Sequence, residues 1–186
     1  MILPTYVYGH PVLKKICTPI ESFDGLEVLI ANMWETMYNA SGVGLAAPQV
    51  GEAIKLFIVD SKPMFEEGEE HNGIKKVFIN AEILEEYGPI EKFEEGCLSI
   101  PHLRGTVERP SFIKIKYLDE NQKEHTEVFD GINARVIQHE YDHILGKLFV
   151  ERLKPIKKRL LAKKLDAMKK GKVEADYKLK FAARRR

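Results

Sequence analysis

Apolar positions 132–144 recur at helical spacing. Ile132, Val136, Ile137 and Ile144 form one stripe, Asp130 is placed to cap the start, and Gly146 is placed to close the end. A second stripe, Leu26, Leu29, Ile30, Met33 and Met37, follows an Asp24-x-x-Glu27 capping signature and stops at Asn39-Ala40-Ser41-Gly42. A third starts at Pro155, a favourable first-turn residue, and carries Ile156, Leu160, Leu161, Leu165 and Met168 up to Gly171. Extended segments lie between. Residues 55–60 read as a buried strand, and 61–73 as a loop punctuated by Pro63, Gly68 and Gly73. Residues 74–80 and 82–87 read as strands, or a strand and a turn, until Gly88-Pro89 breaks the chain. Ile113, Ile115 and Tyr117 alternate with Lys114 and Lys116, and Thr126 and Val128 alternate on the return, so 112–129 is a hairpin that feeds the helix at Asp130. Residues 1–20 read as irregular or partly extended, punctuated by Pro4, Pro11 and Pro19.

Size and composition narrow the class. With 186 residues, 44% hydrophobic and 31% charged, the chain is an ordinary soluble globular domain without an internal repeat or dividing linker. No apolar run approaches membrane-spanning length, and Met1-Ile2-Leu3-Pro4 lacks the basic region and apolar core of a signal peptide. A cytoplasmic location with no membrane partner is expected. Cys17 and Cys97 do not make a disulfide framework, and Cys17 reads as a packed or idle thiol. The net charge of +1 hides an asymmetry: residues 151–186 hold 15 Lys+Arg against 4 Asp+Glu, net +11, which leaves the other 150 residues at −10. A basic tail on an acidic body suggests a large anionic partner. The expected organisation is one domain over 1–171, including the C-terminal helix, and a basic, flexible tail over 172–186.

Candidate chemistry concentrates in the 132–144 helix. Gln138-His139-Glu140-Tyr141-Asp142-His143 puts two imidazoles at i and i+4, one turn apart on one face, with a carboxylate beside the first. That pattern offers two metal ligands and a general base. A catalytic site of this kind usually takes three protein ligands. Candidates for the third are His10, His71, His102, His125, Glu151, Cys97 and other carboxylates. Cys97, freed by Gly96 and carrying a soft donor, is the better choice. A third stretch, Gly42-Val43-Gly44-Leu45-Ala46-Ala47-Pro48-Gln49, has little side chain, so its backbone can approach a ligand closely or simply turn. It lacks the Gly-Lys-Ser/Thr ending of a phosphate loop.

Together the three stretches resemble the peptide deformylase family, whose G-x-G-L-A-A-x-Q, E-G-C-L-S and H-E-x-D-H motifs match residues 42–49, 95–99 and 139–143 in order and without a gap. The likeness extends over roughly residues 4–155. It implies an α+β fold with antiparallel β-sheets packed around a central metal-binding helix, flanked by an N-terminal and a C-terminal helix. It implies Cys97, His139 and His143 as metal ligands, Glu140 as general base and then acid, and Gln49 with the Leu98 N–H as oxyanion donors. Val43 and Gly44 would align the substrate backbone. Phe93, Glu95 and Arg104 would line the substrate site, although Glu95 and Arg104 could equally form an ion pair. The implied reaction removes formyl from the N-formyl-methionyl end of nascent peptides, with Fe(II) preferred and zinc, nickel or cobalt able to substitute. The basic C-terminal segment would face the ribosome, and no DNA partner is expected. Arg135 stands on the ligand-bearing face where relatives are often aliphatic, and His102 stands where glycine is common. An endopeptidase-like metallohydrolase and a non-catalytic metal module are the alternatives; Glu140 and Gln49 argue against the second.

Overall fold

Two strands far longer than the hydrophobic pattern suggests set the architecture of the computed structural model, which describes residues 1–182. Strand β4 (Lys75–Cys97) and strand β5 (Ile100–Leu118) pair antiparallel from Ile79↔Leu118 to Cys97↔Ile100. The break expected at Gly88-Pro89 is instead a register shift between Tyr87 and Ile90. Gly88 takes it at φ +84, a left-handed conformation open to glycine, so the strand bends and continues. Residues 101–109 alternate buried and exposed in strict succession. Pattern reading loses them because one inward position is Arg109 rather than an apolar residue.

The remaining strands complete the sheet. Preceding β4 are β1 (Thr5–Tyr6), β2 (Gly44–Ala46) and β3 (Leu56–Asp60), and following β5 is β6 (Glu124–Asp130). The main sheet runs β2-β3-β4-β5-β6 and is antiparallel throughout, so β2 and β6 are its edges. The expected hairpin is β5–β6. The expected loop 61–73 holds two short 3-10 turns, Lys62–Met64 and Glu70–Asn72.

Helix α1 (Leu26–Asn39) and helix α2 (Gly131–Ile144) cover opposite faces of this sheet. Strand β3 shows why its sequence is apolar at consecutive positions: Phe57 and Val59 join the α2 side, while Leu56 and Ile58 join the α1 side. On the α2 side Phe78 stacks on Phe57, with centroids 4.7 Å apart, and meets Tyr117 at 4.4 Å. On the α1 side Ile30, Met33 and Met37 pack on Leu45, Ile58 and Ile79. The methionines are core filler there, as their spacing indicated. Cys17 is buried in the α2-side core as a free thiol, its pKa pushed up to about 11 by that burial. Helix α1 starts from Gly25, at φ +75, one residue later than its expected Asp24 cap.

A third cluster lies beneath helix α3 (Pro155–Lys169), where Leu161 and Met168 are buried against Leu153, Phe149 and Val107. The expected apolar side of α3 is only partly used, because Ile156 and Leu160 remain 73% and 71% exposed. Beyond α3 the tail departs from expectation. Instead of hanging loose, it returns along the body and forms β7 (Leu179–Lys180), which pairs with β1 in parallel, unlike the antiparallel main sheet. The last part of the expected tail, residues 183–186, lies outside the described residues. Among the described residues no helix is long and apolar enough to cross a membrane.

Phe78 is fully buried between three aromatic neighbours and both helical faces depend on the sheet it holds. Phe78→Ala is expected to lower unfolding free energy by about 3–5 kcal/mol, read from urea titration followed by circular dichroism.

Candidate metal centre

Helix α2 is the most buried helix of the fold, and its polar residues are buried with it: Gln138, His139, Glu140, Asp142 and His143 are all under a tenth exposed. Their one-turn spacing sets the His139 and His143 rings 5.2 Å apart. Cys97 arrives from the end of β4, just before the tight turn at Leu98-Ser99 into β5. Its Sγ lies 3.3 Å from His143 Nε2, and the sulfur and one nitrogen of each ring all fall within 4.8 Å of one another. This is the third ligand position that the sequence favoured. The other candidates are engaged elsewhere. His10 accepts from Val12 N–H at 3.3 Å, His71 contacts the Gly68 carbonyl, His125 meets Asp119 at 2.6 Å, and Glu151 binds Lys14.

The donor set suits a borderline-soft divalent ion. Two further observations fit it. His139 Nδ1–H donates to Glu95 Oε2 at 2.9 Å, which fixes the tautomer and leaves Nε2 for the centre. His143 is held strongly on the neutral side, its pKa pushed down to about 3 by burial and then by His139, so its ring nitrogen is a lone-pair donor.

Behind the ligands is an ion-pair network that motif reading missed. Arg109, 1% exposed, donates Nε and Nη2 to the two oxygens of Glu95 at 2.7 and 2.9 Å, and Nη1 to Asp142 at 2.8 Å. Arg152 grips the same Asp142 through two contacts of 2.6 Å. Arg135 adds Nη1 to Glu95 at 3.2 Å and also donates to the carbonyls of Val107 and Glu91. Burial alone would raise the Glu95 pKa, but Arg109 and His139 outweigh it and hold the carboxyl well below the usual range. The Glu95 carboxylate braces His139, and the alternative pairing of Glu95 with Arg104 is not formed. Arg104 lies on the outside, 3.2 Å from exposed Glu94. The one sequence signal for this network was Asp142 inside the helix motif. Arg109 gave none, since a lone arginine in a strand reads as a solvent-facing charge.

A cleft of about 450 Å³ opens over the centre. Val43, Gly44, Gln49, Phe93, Glu95, Cys97, Leu98, Arg104, His139 and Glu140 all border it, joined by Arg135 and Tyr177, while His143 sits underneath. Glu140 is 4% exposed, its pKa pushed up to about 7 chiefly by burial, and its Oε2 has no hydrogen-bond partner. Gly44 makes room for it: a Cβ there would stand 2.3 Å from Glu140 Oε1. Gln49 is oriented from both ends. Its Oε1 accepts from Ala46 N–H at 2.8 Å, so its amide NH₂ turns to Cys97 Sγ at 3.4 Å and Ser99 Oγ at 3.3 Å.

A family model described as polypeptide deformylase matches residues 2–159. The chain belongs to that family. Peptide deformylases of Christiangramia forsetii and Cytophaga hutchinsonii are 50% and 51% identical to it, each over 97% of this chain and over 96% and 98% of their own. Among solved structures, a peptide deformylase from Thermotoga maritima is 40% identical, with a TM-score of 0.75 over 83% of this chain and 99% of its own. One from Legionella pneumophila is 38% identical, with a TM-score of 0.79 over 91% of this chain and 96% of its own. The deformylase family is one of metal-dependent hydrolases that release formate from the formyl-methionine of newly made polypeptides, and that is the activity of this chain.

Because Arg109 neutralises two buried carboxylates, Arg109→Ala is expected to destabilise the fold by about 3–5 kcal/mol in urea unfolding, well beyond an exposed-pair control such as Arg104→Ala at under about 1 kcal/mol.

Proposed function

We propose that deformylation is carried out here by Cys97, His139 and His143 as holders of one divalent ion, Glu140 as proton carrier, and Gln49 with the Leu98 N–H as oxyanion donors. The observation that carries this reading is the Glu140 carboxylate, buried beside the three-donor cluster with one oxygen unpartnered. Burial without a partner is unfavourable for a carboxylate unless the site uses it. When bound, the ion supplies Lewis acidity and brings the ionisation of water toward neutral pH.

The chain's own groups account for the rest. With a pKa pushed up to about 7, Glu140 is suited to accept a proton near neutrality and to return it to the departing amino nitrogen. Charge that develops on the formyl oxygen needs donors fixed in advance, and Gln49 is fixed by Ala46 and Ser99. Strand β2 is a sheet edge beside the cleft, so an extended peptide can lie along Val43 and Gly44 by backbone hydrogen bonding. Phe93 and Arg104 border the same cleft and would contact residues near the formyl-methionine. Fe(II) is the ion we assign in the cell, with zinc, nickel or cobalt as substitutes, because a thiolate and two imidazoles serve all four.

The location that matches a nascent-chain substrate is the cytoplasm. The outward face of α3 exposes Lys157, Lys158, Arg159, Lys163 and Lys164. That surface matches the phosphate-rich RNA of a ribosome.

On formyl-Met-Ala-Ser, Glu140→Ala is expected to lower kcat by about 10³-fold or more while the protein still binds its metal, measured by formate release and metal analysis. Chelator-stripped protein should lose activity and regain it with anaerobic iron more than with zinc. Equal hydrolysis of an internally cleavable, acetyl-blocked peptide would indicate an endopeptidase instead. Reversing Lys157, Lys158, Lys163 and Lys164 to Glu should weaken ribosome sedimentation at least tenfold at ~0.1 M salt; unchanged binding would remove the ribosomal assignment.

A further inference from the structure

The segment after α3 runs back along the body as a strap and reaches the cleft at Tyr177. Val173, Ala175, Tyr177, Leu179 and Phe181 are half-buried, and the residues between them are exposed. Three ties hold it. Strand β7 joins β1, with Thr5 N–H donating to the Lys178 carbonyl at 2.8 Å and Val7 N–H to the Lys180 carbonyl at 2.9 Å. The His102 Nε2–H donates to the Glu174 carbonyl at 2.7 Å. The Tyr177 hydroxyl donates to the Leu98 carbonyl at 2.8 Å. His102 has φ +62, which non-glycine residues adopt at a cost of roughly 1 kcal/mol or more, and its ring bond to the strap helps offset that. The family match ends at residue 159, so the strap is outside it, yet Tyr177 borders the cleft.

We propose that Tyr177 is a positioning residue for deformylation: by anchoring the Leu98 carbonyl it fixes the backbone of the residue whose N–H serves the oxyanion. The proposal rests on the role given to Leu98 above. The turn at Leu98-Ser99 needs such an anchor. Gly96 precedes it without a side chain. The Leu98 side chain packs against the α1-side core and beside Gly42, where a Cβ would come within 2.8 Å of its Cδ1, and this packing holds the side chain rather than the carbonyl. The Ser99 carbonyl is held by Tyr8 N–H at 2.8 Å. Without Tyr177 the Leu98 carbonyl loses the hydrogen bond that holds it, and the peptide plane ahead of it is freer to rotate.

Tyr177→Phe keeps the ring and removes the hydroxyl. The expected result is a loss of about tenfold in kcat on formyl-Met-Ala-Ser with KM and thermal midpoint unchanged. In zinc-loaded ¹⁵N-labelled protein, the Leu98 and Ser99 amide resonances should shift and exchange faster with solvent. A kcat within twofold of the parent, together with an unmoved Leu98 amide, would overturn the proposal. So would a kcat loss that tracks a fall in thermal midpoint, since that is a packing effect. A parent enzyme inactive on formyl-Met peptides would instead overturn the hydrolytic roles, while the Leu98 amide still reports whether Tyr177 holds that backbone.

Discussion

The centre exists because two carboxylates are kept ionised where water is scarce. Glu95 and Asp142 sit on different elements, β4 and α2, and Arg109 from β5 neutralises both. Isolated, either carboxylate would cost several kcal/mol to bury. Satisfied from three sides, they become rigid struts. One strut ends on His139 Nδ1, so the orientation of a ring in the three-donor cluster is set by the Arg109–Glu95 salt bridge behind it. The geometry of the cluster therefore depends on β4, β5 and α2 meeting in register, which is why the long β4–β5 pairing must survive its bulges.

The centre itself was largely readable in the chain. Spacing on α2 pointed to His139 and His143 as a pair with Glu140 beside them, and the soft-donor argument selected Cys97, which the fold brings to within 4.8 Å of both rings. These residues are legible because chemistry restricts which side chains can occupy them. The supporting network was not. Arg109 looks like a surface charge until the fold buries it, and that burial is decided by strands whose boundaries depend on long-range pairing. Gly88-Pro89 shows the same limit: the dipeptide does disrupt a ladder, but two flanking strands strong enough to re-pair convert a stop into a bulge.

The strap is a different kind of miss. Its alternation, Val173, Ala175, Tyr177, Leu179 and Phe181 against charged neighbours, is an ordinary strand signal. Net charge drew attention away from it. Lys178 and Lys180, two of the three lysines in the tail, face solvent at and beside β7, and Lys180 also lies over the Tyr6 ring at 4.9 Å.

Strand β2 contributes a buried sheet edge of three residues, Gly44–Ala46, or about 10 Å at the usual rise, where the Ala46 N–H already donates to Gln49 Oε1. Hydrogen bonding to a backbone is blind to side chains, so such an edge can greet the leading end of almost any polypeptide. Its brevity is protective as well: a second folded copy finds too few rungs there to dock a sheet of its own, and the enzyme keeps an edge strand without inviting fibrils.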